Sequence, residues 1–552
     1  MFFKGLIIDL DNTIYNYKEC NDKSFNHIFK FISNRYNISV DDIWKCYQKV
    51  NAQVKNMLNN TASSHNRFIY IKQIFEFFCL GYSDIECVHD MFWNTFYENM
   101  TINEGVIELL TFLRKIGIKA CILTDFLTQY QITKINTLKL FGLIDHIVTS
   151  EEIGIEKPSK NMYYKALDKL KLNPTQVIMI GDDYEKDING SRDMGIYPFW
   201  FSDNIGLNIG PTETVFNKFT DLYYLFSTFE DELIFFEHLS KMYGERFDLV
   251  QAGGGNISFK YKNLMAIKAS GYSLSQVDVK TGYSIIDNEK YKDDIKQDYF
   301  VITTIKPSIE TPLHSFLSKY TVHLHPIQIN NILVRHDCKL VLQKLFPDSL
   351  ILDYCTPGEK LYNELKMKYS DQKIIFLLNH GVIYTSDSRE EITQLIGNSL
   401  DICEQYIGKD FSAYKNVNII SDLMNRVTTE KYVTIHCQDK IIDKYFKNKA
   451  DFNSTTFPDK VVYCGISWYD SDLDINALIT YIKEYGIPKI FLFENNIYIT
   501  STSLYKCYDI EKVLKASLMI NDTKTINICL ENKEVNFLIN WDREKYRQQV
   551  SI

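Results

Sequence analysis

The sequence predicts an α/β protein that opens on a doubly wound parallel sheet and continues through further α/β segments. Three observations predict this. Short apolar runs ending in polar or acidic residues recur at FKGLIIDL (3–10), IKACILTDF (118–126) and QVIMIGDD (176–183). That is the pattern of buried parallel strands whose C-terminal edge carries chemistry. Helical stretches separate these runs, and strand–helix alternation implies crossover connections over a parallel sheet. The 552 residues leave room for three or four domains, at about 150 residues each.

In chain order, the first apolar run is followed by a mostly helical stretch over about 16–103 with few Gly or Pro, and then by the second and third runs. SDNIGLNIGPTETVFNK (202–218) is richer in Gly, Asn and Thr and reads as a linker or a last small strand; the linker is set at 206–228. A helical EDELIFFEHLSKMYG (230–244) begins a second unit. AGGGNISFK (252–260), AIKASG (266–271), the alternating TVHLHP (321–326) and KIIFLLNHGVIYT (373–385) follow as strands. From 411 onward come further strands, KVVYCGIS and KIFLFENNIYIT, with helices between them. No internal repeat and no low-complexity tract is evident.

Composition narrows the classes. Hydrophobic residues make up 45% and charged residues 24%, which excludes a wholly disordered chain. A net charge of −9 argues against a protein that coats nucleic acid, and no polybasic membrane patch occurs. The 12 cysteines are scattered without a CxxC pair. The opening MFFKGLIIDLD is broken by Asp9 and does not read as a secretory signal. No apolar run approaches the roughly 18 residues of a membrane span. These features predict a soluble, cytoplasmic protein whose cysteines pack as small apolar groups.

The first constellation of reactive residues suits phosphoryl transfer. Asp9 and Asp11 in DLDNT end the first strand, Thr124 ends the second, Lys157 lies in GIEKPS, and Asp182 and Asp187 lie in GDDYEKD. One carboxylate can attack phosphorus and another can move the proton of the leaving oxygen. Further acids can hold Mg²⁺, while a hydroxyl and a lysine balance phosphate charge. Asp183 competes with Asp182 for the metal, and spacing alone does not choose. This set, in this order, resembles the haloacid dehalogenase (HAD) superfamily over residues 1–205. The resemblance implies Asp9 as nucleophile, Asp11 as general acid/base, and Thr124 and Lys157 as phosphate ligands. It implies Asp9, Asp11, Asp182 and Asp187 around Mg²⁺, and a helical cap over 16–103. Asp11 favours a phosphatase over a dehalogenase. Asn51 and His65 in the cap read as solvated surface.

The second constellation is rich in histidine. Five of the 11 histidines fall within 314–380: His314, His323, His325, His336 and His380. In TVHLHP the strand period of two turns His323 and His325 to one face. With His380 from LLNHG they form an open three-histidine site of the kind that holds Zn²⁺. His336 in VRHDC reads as surface. Glu310 in KPSIETPLH is a candidate proton-transfer base, and Gly-rich turns free backbone N–H groups for a phosphate or oxyanion.

GGGNIS, KASG, PSIET..LH, HxH and NHG together resemble the class II aldolase/adducin family over 229–410, closest to the long rhamnulose-1-phosphate aldolase-like members. The resemblance implies Zn²⁺ or another divalent metal on His323, His325 and His380, and Glu310 as acid/base. It implies a phosphate cradle of Asn256, Ser270, Gly271 and Ser308, and a homo-oligomer, a tetramer in relatives. Residues 411–552 carry no GxGxxG after a strand, and His436, Cys437 and Cys464 lack zinc-motif spacing, so this segment reads as structural. The two resemblances imply a bifunctional sugar-phosphate enzyme. One half would make or break a C–C bond using dihydroxyacetone phosphate and an aldehyde, and the other would hydrolyse a phosphate monoester. A dehydratase, epimerase or decarboxylase on the second scaffold is the alternative, and a non-enzymatic adducin-like module ranks below it.

Overall fold

The computed structural model describes residues 3–202, 205–210, 212–289, 305–447, 454–521 and 528–540. The chain divides into two compact units, one up to Glu232 and one from Leu233 onward. Among the described residues no helix is long and apolar enough to cross a membrane.

The first unit is built on seven strands: β1 (Gly5–Ile8), β2 (Lys119–Thr124), β3 (His146–Thr149), β4 (Val177–Gly181), β5 (Tyr197–Phe201), β6 (Asn208–Ile209) and β7 (Thr214–Phe216), in the order β3–β2–β1–β4–β5–β7–β6. All pairings are parallel except the edge pair β6–β7. Apolar side chains cover the sheet; Ile7, Cys121, Leu123, Val148 and Met179 share one core with the helix Lys160–Leu170. β1 sits between β2 and β4, so the strand order reverses beside it and opens a crevice at the C-terminal ends. Between β1 and β2 the chain makes four helices, Tyr17–Tyr36, Val40–Met57, Arg67–Phe77 and Ile85–Glu98. Asn16, Ser39 and Asn66 accept hydrogen bonds from the first-turn amides of three of them, the local reason those helices begin where they do. The stretch 206–228, expected as a linker, instead carries β6, the buried β7 and the start of the helix Phe219–Gly244.

The second unit holds a seven-stranded sheet of β8 (Asn256–Tyr261), β9 (Leu264–Lys268), β10 (Tyr283–Asp287), β11 (Tyr320–Leu324), β12 (Leu350–Leu352), β13 (Ile374–Leu377) and β14 (Gly381–Ser386), in the order β10–β9–β8–β11–β14–β13–β12. Only β12–β13 is parallel. KIIFLLNHGVIYT, expected as one strand, is a hairpin: the chain reverses through Leu378–His380, with Asn379 left-handed at φ 58°. Asn tolerates that conformation better than most residues.

A smaller sheet, β15 (Val433–His436), β16 (Ile490–Phe493) and β17 (Asn496–Ser501), follows in the order β15–β17–β16. KIFLFENNIYIT is again a hairpin rather than a single strand, and KVVYCGIS is not a strand, because Lys460–Cys464 forms a helical turn.

This sheet repeats part of the preceding one, which corrects the expectation of no internal repeat. β11 pairs β14 through Thr321↔Thr385 and His323↔Ile383; β15 pairs β17 through Thr434↔Thr500 and His436↔Tyr498. Lys373 precedes β13 and its carbonyl accepts from the Thr385 amide at 3.0 Å; Lys489 precedes β16 and accepts from Thr500 at 3.0 Å. The parallel β12–β13 contact has its counterpart in a parallel bridge from Tyr469 to Phe491. A long helix follows each hairpin, Arg389–Ile407 after β14 and Leu504–Asn521 after β17. With the strands aligned by this register, His436 stands where His323 stands, Gln438 where His325 stands, and Asn496 where Gly381 stands.

Two candidate active sites

In the first unit, the strand ends bring the predicted acids together. Asp9 follows β1 directly, and Asp182 follows β4. Carboxylate oxygens of Asp9, Asp182 and Asp187 lie within 4.8 Å of one another. Lys157 Nζ donates to Asp9 Oδ1 and to Asp187 Oδ1, each at 2.6 Å, and Thr13 Oγ1 donates to Asp9 and Asp182 at 3.1 Å. Asp183 takes no part: its carboxylate accepts from the amides of Glu185 and Lys186 and caps the turn Tyr184–Asn189. The structure thus separates two adjacent acids that spacing could not.

The Asp11 carboxylate, expected among the metal ligands, does not join this cluster. Lys134 Nζ donates to its two oxygens at 2.8 and 2.9 Å, Tyr15 OH donates at 2.5 Å, and Gln131 Nε2 donates at 3.2 Å. Gln131 also donates to Thr124 Oγ1 at 2.5 Å, tying the β2 end to Asp11. Gln131 and Lys134 lie three apart on the helix Thr128–Thr137, so one face supplies both. Sequence reading missed this pair.

Burial pushes the Asp9 and Asp187 carboxyls up against the opposing pull of Lys157. Burial and then the Asp9 charge push Asp182 up to about 7. Three carboxylates that repel one another in a buried space match a hard divalent cation, which removes that repulsion. Burial also opposes the Lys157 charge, but Asp187 and Asp9 outweigh it and hold the ammonium protonated. Beside the cluster, Phe126 has φ 112°, an uncommon conformation for a bulky residue, costing about 1–3 kcal/mol.

In the second unit, His323 lies in β11, His325 just beyond its end and His380 on the β13–β14 turn. Their ring centroids are 4.9, 4.9 and 5.1 Å apart, and ligand nitrogens of all three lie within 4.8 Å of one another. His323 Nε2, His325 Nε2 and His380 Nδ1 are buried without a hydrogen-bond partner. Convergent orphaned imidazole nitrogens fit a bound transition metal. Gly381 makes the approach possible: a Cβ there would lie 2.4 Å from Leu324 O and 2.7 Å from the His325 ring.

Glu310 Oε1 is 2.8 Å from His323 Nδ1, which sets a carboxylate directly against one of the three imidazoles. Burial raises the Glu310 carboxyl, but His323, His314 and the Asn256 amide outweigh it and hold the group ionised, far below the usual carboxylate range. Burial, then the neighbouring His323, keeps His325 neutral, lowering it to about 3, and His380 to about 4. Neutral imidazole is the form that binds metal. Asn256 Nδ2 bridges Ser308 Oγ at 2.7 Å and Glu310 Oε2 at 3.0 Å. A cavity of about 420 Å³ opens beside these groups, lined by Gly253, Lys268, Ser270, Gly271 and Ser308. Lys268, buried with Nζ 2.8 Å from Tyr272 O, was missed although it lies inside the IKASG run.

Comparison with known proteins gives a family for each of the two regions. Residues 6–200 match the family model of the haloacid dehalogenase-like hydrolases, and residues 237–407 match that of the class II aldolase and adducin N-terminal domain. The first region is 30% identical over 195 residues to a ribulose-1,5-bisphosphate 5-phosphatase of Halopiger xanaduensis, covering 35% of this chain and 82% of that protein. It is 25% identical over 199 residues to a glyceraldehyde 3-phosphate phosphatase of Methanocaldococcus jannaschii, covering 35% and 82%. Among solved structures, the N-terminal class II aldolase domain of a conserved protein from Thermoplasma acidophilum is 24% identical, with TM-score 0.29, over 32% of this chain and 93% of that one. The chain belongs to the haloacid dehalogenase-like hydrolases through its first unit, a phosphatase domain, and is a fusion of that domain with a class II aldolase/adducin domain.

Proposed function

We propose that the chain is a bifunctional sugar-phosphate enzyme that joins an aldol reaction to phosphate-monoester hydrolysis. The observation that carries the reading is the co-occurrence of two assembled clusters: Asp9–Asp182–Asp187 with Lys157, and the orphaned nitrogens of His323, His325 and His380 beside Glu310. The activities for which the two phosphatase relatives are named, both on small sugar phosphates, support the substrate class.

In the phosphatase, an Asp9 carboxylate oxygen attacks phosphorus, the P–O bond to the sugar breaks, and Asp11 protonates the departing oxygen. Asp11 then takes a proton from water, which attacks the aspartyl-phosphate and frees Asp9 and phosphate. Lys157, 2.6 Å from Asp9, holds the charge of the phosphoryl oxygens, with Thr124 at the neighbouring strand end. Mg²⁺ held by Asp9, Asp182 and Asp187 would screen the same oxygens.

In the aldolase, Zn²⁺ or a similar cation held by the three histidines would polarise the ketone of dihydroxyacetone phosphate and acidify the neighbouring C–H. Glu310 takes that proton, the carbon adds to the aldehyde carbon, and a proton is delivered to the aldehyde oxygen as it becomes the new hydroxyl; the reverse sequence cleaves a ketose 1-phosphate. Asn256, Ser270, Gly271 and Ser308 cradle the phosphate, with Lys268 supplying positive charge. The three histidines support an enzyme over an adducin-like module. Residues 411–552 show no comparable metal cluster among the described residues, and their proposed role is structural.

Wild type, Asp9→Asn and His323→Ala supplied with dihydroxyacetone phosphate, a panel of short aldehydes, Mg²⁺ and Zn²⁺ test the reading. It predicts a phosphorylated ketose that accumulates in Asp9→Asn and appears as free sugar in wild type. If His323→Ala matches wild type and only phosphate is released, the second site is not an aldolase for these substrates.

A further inference from the structure

Among the described residues, Lys134, Lys157 and Lys186 of the phosphatase crevice each face a carboxylate, and one cation beside them does not. Lys157 faces Asp9 and Asp187, Lys134 faces Asp11, and Lys186 faces Asp125 and Glu156. The exception is Arg67, at the start of the helix Arg67–Phe77. It is 5% exposed, and among the described residues no carboxylate lies within ion-pair distance of it. Its hydrogen-bond partners are neutral: His65 O at 2.6 Å, Asn21 Oδ1 at 3.0 Å and the Tyr17 hydroxyl. Its Nε–H is buried with no partner. The faces of Phe25, Tyr70 and Phe92, 5.3–5.6 Å away, and the more distant Asp11 charge meet the guanidinium in place of a paired carboxylate, and its free Nε–H leaves room for a ligand anion to answer it.

Arg67 does not stand alone. Its guanidinium lies over Phe126 at 5.8 Å, and Lys134 lies over the same ring at 5.0 Å. Tyr17 also touches both, as a hydrogen-bond partner of Arg67 and as a ring 5.0 Å from Lys134. Phe126 is the residue held in the strained backbone conformation, one residue after Asp125 and two after Thr124. The helices after β1 and the strand ends therefore gather two cations, Arg67 and Lys134, round the Phe126 ring, with Lys134 bonded to Asp11, and this group of side chains is the niche in question. Asp11 is the group that faces the leaving oxygen in the proposed chemistry, so this niche receives the sugar end of the ester.

We infer that Arg67, with Lys134 beside it, binds a second anionic group carried by the substrate at the end remote from the phosphoryl group removed. The inference rests on the phosphatase reading and narrows its substrate class to phosphate esters that also bear a phosphate or a carboxylate. A guanidinium suits either, since its fork of N–H donors matches both oxygen pairs. If the aldol half supplies this site, its aldehyde partner brings the anion.

The test uses the full chain with Mg²⁺ and two matched substrate pairs: ribulose 1,5-bisphosphate against ribulose 5-phosphate, and 3-phosphoglycerate against glycerol 3-phosphate. Wild type is expected to favour the doubly anionic member of at least one pair in kcat/KM by about tenfold or more, the range of a charged hydrogen bond. The favoured pair identifies phosphate or carboxylate as the second group. In Arg67→Gln this ratio collapses toward one, mainly through KM, while Arg67→Lys keeps part of it. A wild-type ratio near one in both pairs overturns the inference. So does an equal loss on both members in Arg67→Gln with the ratio intact, the mark of a purely structural cation. Phosphate release without discrimination sinks this inference alone; no release from these esters or from p-nitrophenyl phosphate sinks the phosphatase reading with it.

Discussion

The β11 strand with the β13–β14 hairpin, which together carry the three histidines, and the β15 strand with the β16–β17 hairpin share a register and differ in what they can hold. In the first, His323, His325 and His380 surround a space that Gly381 leaves open. In the second, His436 keeps the position of His323, but Gln438 replaces His325, and Asn496 replaces Gly381 and fills the space. Asn496 Oδ1 lies 3.1 Å from His436 Nε2, satisfying the nitrogen that the first hairpin leaves free. The turn is also shorter: Glu494 and Asn495, both left-handed at φ 49° and 59°, close it where Leu378, Asn379 and His380 close the other. A backbone frame thus persists without its chemistry, and metal capacity resides in two side chains, one glycine and one turn residue.

The sharpest way to break this comparison is to measure metal. His323→Ala is expected to lose the divalent ion of the second unit, read by elemental analysis, and aldol turnover by more than about 1,000-fold. His436→Ala should change neither; a shared loss would mean that both hairpins hold metal.

The next effect is on stability and pH. Glu245 is buried, and Ser421 donates to it at 2.6 Å and to Thr434 in β15 at 2.8 Å. Burial pushes this carboxyl up to about 8 from an ordinary value of 4.5. The folded state therefore prefers the protonated group. Its contribution is complete below pH 4.5 and is lost as pH rises toward 8, a loss on the order of a few kcal/mol. Glu245→Gln should flatten the fall of thermal stability over that window. An unchanged pH profile would show that Glu245 is not its source.

Grafting the second hairpin's residue onto the first is the third test. Gly381→Asn drives a side chain into Leu324 O and the His325 ring, and should cost about 1–3 kcal/mol and the bound metal. Retained metal in a folded Gly381→Asn protein would show that the glycine is not what keeps the site open. The reverse change, Asn496→Gly, removes two side-chain hydrogen bonds, to His436 Nε2 and to Glu494 O, and should cost about 1–2 kcal/mol in denaturant unfolding without creating a metal site.

Much of both sites was legible because strand ends and strand alternation are local. Asp9, Asp182 and Asp187 each follow or flank an apolar run, and the HxH pair needs only a period of two. The hairpins were not legible: KIIFLLNHGVIYT and KIFLFENNIYIT each read as one apolar strand, and each reverses at Asn. Two-way apolar runs carry no mark of a reversal beyond that one residue. The repeat was hidden for the same reason, since interchangeable Val, Ile, Leu and Phe preserve a register while erasing identity. Arg67, Lys134 and Gln131 were missed because helices far apart in sequence bring them to the crevice, and no local pattern announces that. Asp183 looked equal to Asp182 until its carboxylate was seen to cap the next turn.

The one-residue difference between the two turns bears on how the halves diverged. Substitution can restore a histidine at Gln438 or a glycine at Asn496, each through base changes in place. Asn495 precedes Asn496 as His380 precedes Gly381, but the second turn is two residues long where the first is three. Three nucleotides in frame separate the two states. Point mutation alone can therefore place a histidine in the second turn but cannot give that turn the three-residue length from which His380 projects.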